Sequence, residues 1–210
     1  MLSFLYAGIV KKVSTNFNGF TIVLDAGHGG RDGGSVGVNG TIEKDINLEY
    51  VLLLKDKLVA SGYRVILTRK DDGGLYSPFA ENKKISDMNK RMEIIKQANP
   101  NLVISVHMNS FGDGSVCGAN TYHKTNDDAS VYCADLIQKS IKNYCGARNT
   151  ISKAGDYYIL NCSYYTSVLI ECGFLSNSEE ERLLNSNEYK EKFTDAVCSA
   201  ILLYFGNKLI

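Results

Sequence analysis

The feature that most constrains the fold is a regular alternation of short apolar segments with longer amphipathic ones. The short segments have the length of strands, and we predict strands near 20–24, 63–67, 102–106, 118–122, 157–160 and 167–170. The longer segments repeat apolar residues every three or four positions, and we predict helices near 42–60, 81–98, 128–141 and 189–204. This alternation predicts an α/β fold of a single domain, with a mostly parallel (mixed), twisted sheet of about six strands and helices on both faces.

Composition excludes two classes of protein. The 210 residues include 23 Lys+Arg and 23 Asp+Glu, whereas a protein that mainly neutralises nucleic-acid phosphates needs a basic surplus. No apolar run approaches the roughly 20 residues that cross a bilayer, so we expect no transmembrane span in this chain. We predict a catalytic domain over 20–210, preceded by a segment 1–19 that is a signal or anchor remnant or an edge strand.

The cysteine pattern leaves two interpretations open. The six cysteines form no CxxC pair and no cluster with zinc-finger spacing. An even number in an exported protein is compatible with disulfides. Several of these cysteines, however, lie inside apolar runs, and free cysteine behaves as a small buried apolar residue. We therefore favour free, buried thiols.

Polar residues stand where predicted strands end. His28 follows the first strand, His107 ends the third, and Glu171 ends a later one. The ligand crevice of a parallel sheet lies beyond the carboxyl ends of its strands, so these three side chains should converge there. Glu43 begins the first helix, which follows the loop of His28. The N-terminus of that helix can therefore lie at the same edge of the sheet.

These four residues fit the requirements of metal-assisted amide hydrolysis. Two imidazoles and one carboxylate form a good zinc set that leaves a fourth position for water. A further carboxylate is then needed to take a proton from water and pass it to the leaving nitrogen. Simpler roles remain open: His28 as an ordinary loop residue, and Glu43 as a partner of the helix dipole with Thr41 as cap.

Five sequence blocks resemble the zinc-dependent N-acetylmuramoyl-L-alanine amidases of bacterial cell walls. They are IVLDAGHGG at 22–30, EKD at 43–45, LTR at 67–69, SVHMNS at 105–110 and ECGFLSN at 171–177, within a match over about 20–206. The resemblance implies one catalytic Zn²⁺ per chain and cleavage of the amide between muramic acid and the stem peptide of peptidoglycan. It implies that His28, Glu43 and His107 bind the zinc and that Glu171 is the catalytic carboxylate.

Two departures from the family pattern lie close to these residues. Ala26 stands where members usually have proline, and Met108 stands where alanine or leucine is commoner. Neither removes a ligand, so we expect them to affect loop rigidity and groove shape rather than the chemistry.

The segment 71–91, which contains KKISDMNKR, is similar to the germination-specific amidases of spore formers. That narrower likeness implies removal of stem peptides from spore-cortex peptidoglycan, a step toward muramic-δ-lactam. It also implies an exported protein of the cell wall or spore envelope, between the forespore membranes, with an accessory or regulatory protein as a further partner.

Three alternative functions stay open. The first is a vegetative cell-wall autolysin of the same chemistry. The second is a peptidoglycan-binding protein that becomes active only with a partner. The third is a cysteine hydrolase using Cys172 or Cys117, although Cys172 follows Glu171 in a strand and should therefore point to the opposite face.

Several other polar residues are candidates for contacts outside the metal site. We expect Asn109, Arg69 and Arg91 to contact substrate, with loop support as the alternative for the two arginines. His123 is expected at the surface and outside the metal site. Four tyrosines near the Glu171 strand either line a groove or pack in the core: Tyr157, Tyr158, Tyr164 and Tyr165.

Overall fold

The computed structural model describes residues 17–161 and 163–206. Most of the predicted N-terminal segment 1–19, and also Cys162, lie outside the described residues. Cys117, Cys145, Cys172 and Cys198 are free, and Cys133, Cys172 and Cys198 are buried. This agrees with the expectation of free thiols at the first four of these positions.

Six strands form one mixed sheet. They are β1 (Thr21–Ala26), β2 (Arg64–Leu67), β3 (Leu102–Asn109), β4 (Asn120–His123), β5 (Lys153–Ala154) and β6 (Ser167–Phe174). Their spatial order is β2-β1-β3-β6-β4-β5. All neighbours pair in parallel except β4 and β6, which are antiparallel. The predicted α/β class with a mostly parallel, mixed sheet is confirmed.

Helices cover both faces of this sheet. They are α1 (Glu43–Ala60), α2 (Lys83–Ala98), α3 (Asp128–Cys145), α4 (Tyr158–Asn161), α5 (Ser178–Asn185) and α6 (Asn187–Gly206). Residues of α1, α3, α5 and α6 share one hydrophobic cluster with the sheet. Residues of α2 and α4 form a second, smaller cluster with it. The two clusters lie on opposite faces because successive strand residues point in opposite directions.

Strand β1 contributes residues to both clusters. Ile22 and Leu24 belong to the large cluster, whereas Val23 between them belongs to the small one. All three side chains are fully buried. A continuous apolar run of this kind is typical of a parallel strand covered by helices on both sides.

A buried ion pair attaches α2 to the sheet. Asp25 in β1 accepts hydrogen bonds from Arg91 of α2 and from the hydroxyls of Thr68 and Ser105, both at 2.7 Å. Burial alone would raise the pKa of Asp25, but the positive charge of Arg91 and the two hydroxyl hydrogen bonds outweigh it and lower the pKa to about 2. Asp25 is therefore ionised in the folded protein at neutral pH.

The prediction of a strand at 157–160 is wrong. This segment forms the short helix α4, in which the amides of Leu160 and Asn161 both donate to the carbonyl of Tyr157. The neighbouring side chains of Ile159 and Leu160 are buried in the same cluster, which alternating strand residues could not achieve. The fifth strand is instead the two-residue β5.

Two predicted strands end later than expected. Strand β3 continues through His107 to Asn109, and β6 continues through Glu171 to Phe174. Beyond a register shift between His107 and Asn109, the two strands still pair Asn109 with Phe174. His107 and Glu171 thus lie within paired strands, directly opposite each other, rather than at strand ends.

The part of the chain that the structure describes holds no helix long and apolar enough to cross a membrane.

The core of the large cluster should be sensitive to truncation. Ile201 of α6 is fully buried, while Leu203 of the same helix is 52% exposed. Ile201→Ala should lower the free energy of unfolding by about 2–5 kcal/mol, because it leaves a cavity against the sheet. Leu203→Ala, the matched control, should lower it by less than about 1 kcal/mol. Urea unfolding of both variants checks this, and equal losses would contradict the assigned packing.

The Asp25 ion pair predicts an acid-sensitive stability. Since the pKa of Asp25 is about 2 in the folded protein and about 3.9 in an unfolded chain, its contribution of about 2 kcal/mol is present above about pH 4 and disappears as the pH falls through 2. Asp25→Asn should remove this dependence and destabilise the protein at neutral pH by about 3 kcal/mol, because Arg91 loses a buried counter-charge.

Urea unfolding at about pH 6 and about pH 3 measures both effects. Asp56→Asn is the control, since the Asp56 side chain is 74% exposed, and it should keep the acid dependence of the unmodified protein. An Asp25→Asn variant with that same dependence would refute the assignment.

Candidate active site

A cleft of about 890 Å³ opens beyond the carboxyl ends of the parallel strands. Its lining includes all four residues singled out at these strands and at the start of α1: His28, Glu43, His107 and Glu171. Parallel pairing of β1 with β3, and of β3 with β6, brings residues far apart in the sequence to this one edge. The position agrees with the general location of ligand sites in α/β sheets.

Three side chains meet around the carboxylate of Glu43. Its Oε1 atom lies 3.1 Å from His28 Nε2 and 3.1 Å from His107 Nδ1. One ligand atom from each of the three residues lies within 4.8 Å of the others. Two atoms bound to one tetrahedral Zn²⁺ are roughly 3.3–3.5 Å apart, so these positions and this donor set fit a zinc ion. Glu171 is not part of this group of three.

Glu43 is held in place by protein donors. Its Oε2 accepts a hydrogen bond of 2.8 Å from the amide of Ser35, and Oε1 accepts a longer one from the amide of Met108. Asn47, one helical turn along α1, donates from its side chain to Oε1 at 3.3 Å. Hydrogen bonds of this kind orient a metal-binding side chain. The alternative role of Thr41 as helix cap is wrong, because the N-cap of α1 is Ile42 and makes no side-chain cap.

Charge within the group favours an ionised Glu43. Burial raises its pKa, but hydrogen bonds and positive charge from His107 and His28 outweigh burial and hold the pKa of Glu43 well below its usual range. Burial lowers the pKa of His28, and here the carboxylates of Glu43 and Asp32 outweigh it, so that the pKa of His28 is raised. Glu43 thus supplies the negative charge that a cation would need.

Glu171 lies beside this group in a different environment. Its side chain is buried, and its Oε2 atom has no hydrogen-bond partner among the described residues. Burial raises the pKa of Glu171 to about 7; the positive charge of His107 and His28 opposes this, and the negative charge of Glu43 adds to it. A carboxyl group with a pKa near neutrality is suited to accepting and donating a proton.

Two glycines leave the space that the histidine rings and Glu43 occupy. A Cβ atom at Gly27 would lie 2.3 Å from His107 Nε2. A Cβ atom at Gly34 would lie 2.5 Å from Glu43 Oε2, and Gly34 also has a φ of 70°, which favours glycine. The glycine-rich sequence around His28 is therefore required by the packing of the site itself.

The three expected substrate contacts lie in different surroundings. Asn109 lines the cleft, and its role stays a prediction. Arg69 and Arg91 are only 3% and 2% exposed, and their guanidinium groups hydrogen-bond to protein atoms. These contacts favour the loop-supporting alternative for both arginines over a contact with a substrate carboxylate.

The sequence interpretation missed Asp32. Its Oδ1 lies 3.0 Å from His28 Nδ1 and also accepts a hydrogen bond from the amide of Gly34. Asp32 thus contacts the ring nitrogen of His28 that faces away from Glu43. A carboxylate four residues after a histidine in the same glycine-rich loop was the pattern that could have revealed it.

The tyrosines divide between the cleft and other surroundings. Tyr157 and Tyr158 line the cleft, and the Tyr157 ring packs edge-on against Tyr122 at 5.1 Å between centroids. Tyr164 is 98% exposed, and Tyr165 packs against the small cluster. Of the two expected roles, groove lining thus describes Tyr158, and Tyr157 fills both because it also packs against the small cluster.

The cysteine-hydrolase alternative finds no support in the structure. Cys172 belongs to the large hydrophobic cluster, on the face opposite to Glu171. Burial raises the pKa of the Cys172 thiol well above its usual value, which disfavours the reactive thiolate. Cys117 is absent from the cleft lining. His123 also lies outside the group of three and contacts the Lys124 carbonyl.

Gly27→Ala should weaken metal binding, because the added methyl group occupies the space of the His107 ring. We expect the zinc dissociation constant to rise by about 10–100-fold, as when the groups that orient a ligand are removed. Competition with a chromophoric chelator measures this. Gly112→Ala is the matched control, because a Cβ atom there meets nothing within 4 Å. Equal affinities for the two variants would contradict the placement of the His107 ring.

Comparison with known proteins assigns the chain to a family. The family model described as N-acetylmuramoyl-L-alanine amidase matches residues 22–202. The germination-specific N-acetylmuramoyl-L-alanine amidase of Bacillus subtilis (strain 168) is 32% identical over 205 residues, which cover 94% of this chain and 85% of that relative.

Solved structures agree with this assignment. The CwlD amidase from Clostridioides difficile, determined in complex with the GerS lipoprotein, is 38% identical with a TM-score of 0.86 and covers 90% of this chain and 99% of its own. The catalytic domain of CwlV, an N-acetylmuramoyl-L-alanine amidase from Bacillus(Paenibacillus) polymyxa var.colistinus, is 28% identical with a TM-score of 0.78, over 89% of this chain and 98% of that one. The chain therefore belongs to the N-acetylmuramoyl-L-alanine amidase family, the enzymes that act on the amide bonds of peptidoglycan.

Proposed function

We propose that this amidase is zinc-dependent and removes stem peptides from spore-cortex peptidoglycan, a step toward muramic-δ-lactam. In this proposal His28, Glu43 and His107 hold one Zn²⁺ and Glu171 is the catalytic carboxylate. The observation that carries it is the meeting of three donor side chains beside a buried carboxylate with an unpartnered oxygen. A zinc ion held there supplies an activated water and a Lewis acid for the carbonyl oxygen.

Glu171 would carry the proton between the two halves of the reaction. Its unpartnered Oε2 is free to accept a proton from the attacking water. Burial raises the pKa of Glu171 to about 7, which suits a group that takes up a proton and passes it to the leaving alanine nitrogen. Glu43, whose pKa is lowered, stays ionised and keeps the two histidines oriented.

The cleft suits a polymer of sugars and short peptides. It is open and carries groups of both charges, including Lys83, Lys84, Asp32 and Asp156. Tyr157 and Tyr158 add aromatic surface, and Asn109 lines the same cleft. We propose Asn109 as a substrate contact, whereas the buried Arg69 and Arg91 act from beneath the site.

The proposal of a spore-cortex role rests on two proteins to which this chain is similar. One relative is named a germination-specific amidase, and one structural neighbour is a CwlD amidase in complex with a lipoprotein. We accordingly propose an exported protein of the cell wall or spore envelope, between the forespore membranes, with an accessory protein as a further partner. A vegetative cell-wall autolysin of the same chemistry is the alternative.

Substitution of the two glutamates should separate catalysis from metal binding. Glu171→Gln should lower kcat by at least about 100-fold, since a neutral amide cannot carry the proton, while zinc stays bound. Glu43→Ala should instead weaken zinc binding itself. Glu179→Gln, at an exposed position of α5, serves as control. Metal content and turnover are measured on each variant. Full activity in Glu171→Gln would refute its assignment.

Digestion of purified peptidoglycan tests the reaction and the substrate. Cortex and vegetative cell-wall peptidoglycan are incubated with the protein, with and without a chelator, and the products are identified by mass spectrometry. We expect chelator-sensitive release of stem peptides with an alanine N-terminus, faster from cortex. Faster release from vegetative wall would favour the autolysin. Release only after a second protein is added would favour the conditionally active alternative.

A further inference from the structure

Two buried arginines bind the backbone of the loop that carries His28. The carbonyls of three consecutive residues, Ala26, Gly27 and His28, all accept hydrogen bonds from guanidinium groups. Arg69 donates to Ala26 and Gly27, both at 2.9 Å. Arg91 donates to Ala26 at 2.8 Å and to His28. The backbone carbonyls of all three residues are thereby held by side chains from elsewhere in the sequence.

Arg69 also connects this loop to the start of α1. The same nitrogen that donates to Gly27 donates at 2.7 Å to the carbonyl of Lys44, the residue next to Glu43. A fourth hydrogen bond goes to the carbonyl of Asp71 at 3.0 Å. Among the described residues, all four hydrogen-bond acceptors of Arg69 are backbone carbonyls. The position of its guanidinium group is therefore fixed by the main chain. One side chain therefore connects the loop of His28 to the first turn of α1.

Arg91 is itself held rigidly beneath the loop. It pairs with Asp25 of β1 and, through Nε at 2.6 Å, with Asp87 one turn earlier in α2. Asp25 is fixed in turn by hydroxyl groups of Thr68 and Ser105. The charge of Arg91 is thus balanced inside the protein, and its remaining donors point at the loop.

The backbone of this loop adopts a conformation that needs support from the surrounding structure. His28 has a φ of 63°, in the left-handed region that histidine seldom adopts, and Gly29 and Gly30 follow with φ of 139° and 59°. A residue persists in such a conformation only where the surrounding structure determines it. In that conformation the His28 ring reaches Glu43 through Nε2 and Asp32 through Nδ1.

We propose that Arg69 and Arg91 are positioning residues that hold His28 in its left-handed conformation and thereby set the metal affinity of the site. This inference rests on the metal site of the proposed function. It assigns the two arginines a role other than substrate contact, because their donors are taken up by protein acceptors. Those of Arg69 go to backbone carbonyls only. Arg91 lines the cleft, but its donors go to two loop carbonyls and to the carboxylates of Asp25 and Asp87. Guanidinium geometry matters here, since a lysine provides the same charge without the planar set of donors that reaches two carbonyls at once.

The first test compares Arg69→Lys and Arg91→Lys with the unmodified protein. Zinc affinity is measured by chelator competition, and the visible spectrum of the Co²⁺-loaded protein reports the ligand geometry. We expect affinity to fall by about 10–100-fold and the spectrum to change. The control is Lys190→Met, which removes another buried charged side chain, paired with Glu49 and remote from the cleft. It should lower the melting temperature but leave the affinity and spectrum unchanged.

A second measurement does not depend on the metal. In the metal-free protein, the amides of Gly29 and Gly30 donate to the carbonyls of Asp32 and Asp72. Their hydrogen exchange should become at least about tenfold faster in the arginine variants, while exchange in α6 stays as it is. If the unmodified protein binds no zinc, the proposed function fails, and the exchange rates still decide whether the arginines hold the loop.

A milder variant covers the case in which Arg91→Lys does not fold. Asp87→Asn weakens the support of Arg91 at a partly exposed position, since the Asp87 side chain is 15% exposed. We expect the same changes as in Arg91→Lys, smaller in size, in a folded protein. Affinity, spectrum and loop exchange equal to those of the unmodified protein, in Arg69→Lys and Asp87→Asn alike, would overturn the proposal and leave the arginines a purely structural role.

Discussion

The parallel pairing of β1, β3 and β6 is the constraint on which the rest of the structure depends. It places Asp25 beside Ser105 and His107 beside Glu171, although these residues are separated by 64 to 80 positions in the chain. Glu43 reaches the same edge by another route, because the loop after β1 folds back so that the amide of Glu43 donates to the carbonyl of Ser35. Strand pairing and one returning loop therefore bring His28, Glu43, His107 and Glu171 to one cleft.

Two neighbouring carboxylates in the cleft differ in pKa because their surroundings differ. Glu43 accepts hydrogen bonds and faces two imidazoles, which lowers its pKa, whereas burial raises the pKa of Glu171. Environments that drive two acids apart in this way are typical of sites in which one group stays charged and the other exchanges protons. Beneath them, Arg91 and Asp25 neutralise each other inside the sheet. Asp25 and Arg91 thus cancel each other's charge, while Glu43 keeps a negative charge that faces the two imidazoles.

Much of this arrangement could be predicted from the sequence because it depends on local patterns. The helix predicted at 42–60 is observed as Glu43–Ala60, since its apolar residues recur at helical spacing and Ser61 and Gly62 follow. The segment 157–160 was assigned wrongly because four apolar and aromatic residues fit a strand as well as a helical turn. The later ends of β3 and β6 depend on how two strands pair across a register shift, and no local pattern records that.

The sequence by itself determined which residues are candidates for the chemistry. His107 and Glu171 interrupt apolar strands, and burying such groups is costly unless they have a hydrogen-bond or charge partner. The glycine-rich turn around His28 is the third signal. Only the tertiary structure decided what surrounds them. It showed that Arg69 and Arg91 face backbone carbonyls, that Asp32 contacts His28, and that Gly27 makes room for an imidazole. Orientation, burial and charge balance arise from segments distant in sequence, and they exist only once the sheet has brought those segments together.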